Sequence, residues 1–117
     1  MTKIKPHKII DQCVAAYNQH DLEGFCRPVS DDVVILDMDT NQPIAQGIDA
    51  YRKAYQQRFQ QNPQLHVKVL QRTVVGNHIC DEEMVTGLAG EDVRAMVIYT
   101  VDDKDLITKV QIARQFA

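Results

Sequence analysis

Ile9, Cys13 and Tyr17 recur every fourth residue beside Ile10 and Val14, and Pro6 stands ahead of them where a first-turn residue needs no partner for its N–H. The spacing predicts a helix over 6–19. Asp21 is placed to cap a short second helix over 22–28, with Leu22, Phe25 and Cys26 facing inward. At Asp32 the period changes. Val33-Val34-Ile35-Leu36, flanked by Asp32 and Asp37, is too short for a helix and predicts a strand, followed by a polar loop over 37–42 and a short return strand over 43–46. Gly47 breaks the chain. Ile48, Tyr51, Tyr55 and Phe59 then fall at i, i+3, i+7 and i+11, a third helix that Asn62-Pro63 stops.

The second half alternates with period two. Turn signals at Gly76-Asn77, over 87–92 and over 102–105 separate strands at 65–75, 78–87, 93–101 and 106–114. Their short connections imply an antiparallel meander, and helices gathered ahead of such a run imply an α+β fold. No repeat or linker divides the 117 residues, so one domain over 1–117 is expected. Ile9, Cys13, Tyr51, Tyr55 and Phe59 are the expected contacts between helices and sheet.

Charge narrows the function. Thirteen Lys and Arg against sixteen Asp and Glu give a net charge of −3, with no basic block, so a nucleic-acid partner is not expected. No apolar run reaches the roughly 18 to 20 residues that span a bilayer. The opening Met1-Thr2-Lys3-Ile4-Lys5-Pro6 has no apolar signal core, so a cytoplasmic protein without membrane attachment is expected. Cys13, Cys26 and Cys80 form no C-x-x-C pair and read as buried thiols.

No metal site is expected. Asp37-x-Asp39-x-Asn41 opens like a calcium loop, but Gln42 stands where that loop needs Gly and Ile48 where it needs Glu. His7, His20, His66 and His78 have no ligand spacing, and Cys13 and Cys80 have no neighbouring cation to activate a thiol.

A Gly76-Asn77 turn sets a hairpin register in which Val75 faces His78, Val74 faces Ile79, Arg72 faces Asp81 and Leu70 faces Glu83. Residues 79, 81, 83 and 85 then share one face, and Cys80, Glu82, Met84 and Thr86 the other. Hydrophobicity leaves the two faces nearly balanced. Asp37 ends its strand on the same side as Val33 and Ile35, the first polar group there.

Several landmarks together resemble the nuclear transport factor 2-like superfamily, which includes SnoaL-like polyketide cyclases and ketosteroid isomerases. They are 15–25 (Ala-Ala-Tyr-Asn-Gln-His-Asp-Leu-Glu-Gly-Phe), Asp31-Asp32-Val33-Val34, Gln46-Gly47-Ile48, 75–83 (Val-Gly-Asn-His-Ile-Cys-Asp-Glu-Glu), and Ile98-Tyr99 with the Asp-rich turn and Leu106-Ile107. The resemblance implies three helices packed on a strongly curved, mainly antiparallel sheet, a cone with a pocket inside. It places Asp37 at the family's general-base position and residues 81 and 83 on the concave face. It also puts Cys13 where a ketosteroid isomerase has its tyrosine and Val97 where that enzyme has its second acid, with Tyr17, Tyr55 and Tyr99 as pocket candidates. Asp37, Asp81 and Glu83 would then form an acidic pocket with Arg72 as counter-charge.

The implied function is binding of a small hydrophobic or carbonyl-containing ligand without a cofactor. In the enzymatic form Asp37 abstracts a proton next to a carbonyl, as in an isomerase or cyclase. The alternative is a non-catalytic ligand-binding or protein-interaction module of the same fold. With Asp81 and Glu83 inward, Val67, Val69, Thr73, Val75, Cys80 and Met84 would form an outer apolar patch suited to a homodimer.

Overall fold

A computed structural model of the chain describes residues 5–116; the first four residues, read above for a leader, and Ala117 lie outside the described residues. The elements are α1 (Pro6–Asn18), α2 (Leu22–Cys26), β1 (Val29–Asp37), β2 (Pro43–Gln46), α3 (Ile48–Gln61), β3 (His66–Val75), β4 (His78–Thr86), β5 (Val93–Val101) and β6 (Ile107–Phe116). They make an α+β fold around one open six-stranded sheet in the order β2-β1-β6-β5-β4-β3. All neighbours are antiparallel except β1 and β6, which pair in parallel, so the first long strand joins the far side of the meander. No described helix is long and apolar enough to cross a membrane.

Two of the boundaries that differ from expectation have a local cause. The second helix stops at Cys26: its C-cap Arg27 keeps helical dihedrals and donates to the Glu23 carbonyl, but Pro28 has no N–H with which to extend the ladder. The first strand starts at Val29, ahead of the apolar run, because Val29 pairs with Ile107 and the Ile107 N–H donates to the Pro28 carbonyl at 2.8 Å. Between Val29 and Val34 the register shifts, which lets the exposed Asp31 and Asp32 swing out of the ladder.

The Asn18–Asp21 segment explains how α1 is seated. Asn18 grips the backbone of Val67 in both directions, donating to its carbonyl at 3.0 Å and accepting from its N–H at 2.7 Å. His20 reaches the Leu65 carbonyl at 2.9 Å and stacks on Phe59, while the Asp21 side chain caps α2 by accepting from the Gly24 N–H at 3.1 Å. These polar residues thereby fix α1 against the start of β3. Ile9, Cys13, Tyr51 and Phe59 are buried as expected, and Tyr55 is half-buried beside them.

The β3–β4 hairpin has the predicted register from Val75↔His78 to Arg72↔Asp81, but a bulge between Val69 and Gln71 puts Val69, not Leu70, opposite Glu83. The extra residue leaves Leu70 unpaired and exposed. The bulge also reverses alternation along β3, so Val67 and Val69, opposite the inward Val85 and Glu83, share that face and are both lost to the expected outer patch.

Candidate functional site

Along β4, Ile79, Asp81, Glu83 and Val85 are buried while Cys80, Glu82, Met84 and Thr86 are partly exposed. The face carrying the two acids is therefore the one under the helices. Cross-strand pairing extends it into rows: Asp81, Val97 and Ile112 form one, and Glu83, Ala95 and Arg114 form the next. Above these rows α1 supplies Cys13, Val14 and Tyr17, α2 supplies Phe25, and α3 supplies Tyr55 and Arg58. Together with Val67, Val85 and Tyr99 they enclose a cavity of about 80 Å³.

Glu83 is the acid inside this cavity, and only 6% of it is exposed. Burial pushes its carboxyl up to about 7, the adjacent Asp81 charge adds to the rise, and Arg72 and the Tyr99 hydroxyl oppose it. Such a group exchanges its proton near neutral pH. Asp81, fully buried, is engaged elsewhere: Arg72 grips it bidentately, Nε to Oδ1 at 2.6 Å and Nη2 to Oδ2 at 2.8 Å. The same guanidinium also pairs with Asp11 and donates to the His7 carbonyl at 3.4 Å, tying α1 to the hairpin.

Tyr17, Tyr55 and Tyr99 surround the acid. Burial raises all three hydroxyls, and the Glu83 charge adds to each; Arg58 pulls Tyr17 and Tyr55 back down. Arg58 Nη1 donates to the Tyr17 hydroxyl at 3.5 Å. A phenol that accepts from a guanidinium keeps its own proton free to donate into the cavity. Cys13 is buried with its thiol pushed up to about 12, chiefly by desolvation, so it contributes shape and not a thiolate.

The expected site residues thus divide. Cys13, Tyr17, Tyr55, Glu83, Val97 and Tyr99 line the cavity; Arg72 and Asp81 form the ion pair behind it. Asp37 does not line this cavity. It sits in register with Ile112 at the end of the Asp81 row, but its Oδ1 accepts from the N–H groups of Asp39 at 2.8 Å and Thr40 at 3.2 Å and closes its own loop. Arg58 and Arg114 were not expected. Arg58 lies three residues past Tyr55 on α3 and Arg114 two past Ile112 on β6, so helical and strand spacing carried both signals. Among the described residues no group of three or more His, Cys, Asp or Glu is arranged to hold a metal ion.

An open, mainly antiparallel sheet with a buried acid and tyrosines under its helices defines a small α+β pocket protein of the nuclear transport factor 2-like type. The model of the SnoaL-like domain matches residues 10–110, and the chain belongs to that family. No curated protein matches it by sequence. Among solved structures it is similar to an uncharacterised cystatin-fold protein from Novosphingobium aromaticivorans, at 20% identity and a TM-score of 0.87 over 96% of this chain and 100% of that one. A protein from Kribbella flavida described as a candidate ketosteroid isomerase gives 19% identity and a TM-score of 0.79, covering 96% of this chain and 78% of its own. One from Sinorhizobium meliloti described as a candidate polyketide cyclase gives 18% and 0.77 over 94% and 100%. At these identities the likeness is one of fold.

Proposed function

We propose that the protein binds a small carbonyl compound in this cavity and moves a proton at the carbon next to the carbonyl, with Glu83 as the base. The observation that carries the reading is a buried carboxyl, held in no ion pair among the described residues, surrounded by tyrosine hydroxyls in a cavity lined mostly by apolar side chains. The Glu83 carboxylate takes the α-proton, and the electron pair of the broken C–H bond moves to the carbonyl oxygen as an enolate. Tyr17, with Arg58 behind it, donates a hydrogen bond to that oxygen. Glu83 then returns the proton to the same carbon or to a conjugated one, which gives exchange or isomerisation. Asp81 and Arg72 position the base without touching substrate.

The test is exchange of the α-protons of butyrophenone in D2O, followed by NMR. Wild-type protein should accelerate it, and Glu83→Gln should reduce the rate about a hundred- to ten-thousandfold. Asp37→Asn should leave it unchanged. Binding of butyrophenone without exchange by the wild type would assign the chain to the non-catalytic binding modules instead. In the same reading the protein works as a homodimer through the outer sheet face, where Cys80, Met84, Met96 and Ile98 lie together on β4 and β5 and Val75 is 69% exposed at the edge.

A further inference from the structure

Two cationic side chains line the same cavity, in a protein whose net charge is −3. Arg58 reaches in from α3 and Arg114 from β6. Neither forms an ion pair among the described residues, whereas Arg52, Arg72 and Arg94 each hold a carboxylate. A partly buried guanidinium whose protein contact is a neutral phenol still lacks the anionic partner that suits its fork of donors. Arg114 is the exposed member of the lining, so it marks where the cavity meets solvent.

The register sets the spacing. Glu83 pairs with Ala95 and Ala95 with Arg114, so the base and the cation stand in one row on the same face, two strands apart. At the usual strand separation their backbones lie about 10 Å from each other. The residue between them is alanine, the smallest side chain in that row, and it leaves floor space for a short ligand stem.

We infer that the substrate is a carbonyl compound bearing a carboxylate a few bonds from the reacting carbon, with Arg114 gripping the carboxylate at the mouth while the carbonyl end reaches Glu83 and Tyr17, which Arg58 backs. This rests on the proton-transfer reading above and adds the substrate class. The arrangement also keeps the ligand's charge away from Glu83. An acid bound in the reverse direction would set two carboxylates against each other in a low-dielectric space, so the site selects orientation as well as charge.

The test uses 3-benzoylpropionate and its uncharged primary amide, which share the ketone, ring and length. Calorimetry on the wild type should show the acid bound about tenfold or more tightly than the amide, the size expected for one charge-assisted contact. Added salt should erode that difference. Arg114→Gln, at an exposed position where folding is not at stake, should remove most of the preference. Equal affinity for acid and amide in the wild type, or an undiminished preference in Arg114→Gln, would overturn the carboxylate site. Because the readout is binding, the two proposals fail separately. Preferential acid binding without proton exchange would remove the base and keep the anion site. Exchange on butyrophenone with no acid preference would do the reverse.

Discussion

Glu83 carries a stability consequence of its own. Its carboxyl is raised to about 7 in the folded protein against an ordinary value near 4.5, so between those pH values the folded state holds a proton that the unfolded chain has released. Unfolding free energy should therefore fall as pH rises through this window, by about 3 kcal/mol at most for a rise of that size. Below the window the contribution is fully present, and above about 7 it is lost. Urea denaturation from pH 4.5 to 8 should show the decline in the wild type and a flatter profile in Glu83→Gln. A parallel decline in both proteins would place the titration elsewhere. Asp37 shows the opposite case: a carboxylate that sequence makes conspicuous, spent on two N–H groups of its own turn.

At the level of elements, the joint between α1 and the β3–β4 hairpin depends on Arg72. It reaches from β3 to the fully buried Asp81 on β4 and to Asp11 on α1. Removing the cation strands a charge with no access to water. Arg72→Met should thus cost about 3 to 5 kcal/mol, the range for breaking a buried pair from one side. The double change Arg72→Met with Asp81→Leu should regain most of that loss, since replacing both partners by apolar groups avoids the unpaired charge. Denaturant midpoints of the single and double variants decide the matter. A double variant no better than the single would mean that the pair supplies geometry and not merely charge balance.

The sheet has two faces of different use. One is covered by helices and holds the cavity; the other presents Cys80, Met84, Met96 and Ile98, with the Glu82–Arg94 ion pair crossing among them at 2.8 Å. Val67 and Val69 have left the patch that the sequence suggested, but Val75 and Met96 remain well exposed. Sedimentation at micromolar concentration should find a dimer, and Met96→Glu should shift it to monomer with the fold retained by circular dichroism. A wild-type protein that is strictly monomeric under those conditions would end the dimer reading.

Much of this molecule was legible in the chain because the relevant signals are local. Helical stripes placed α1 and α3, period two placed the meander, and the Gly76-Asn77 turn set the register that pairs Arg72 with Asp81. From that register alone residues 81 and 83 share a face; which face lay inward was beyond composition, because both were equally apolar. Burial under α1 and α3 decided it. Tertiary structure likewise decided the bulge at Leu70, since an extra residue within a strand leaves no mark on a local pattern. The site itself is the clearest example. Tyr17, Arg58, Glu83 and Arg114 are scattered over nearly a hundred residues of sequence, and they meet only because β4, β5 and β6 align their rows and two helices close above them. A periodic pattern tells a residue which side of its own element it occupies. What it meets there is set by pairings between elements far apart in the chain, which no single segment encodes.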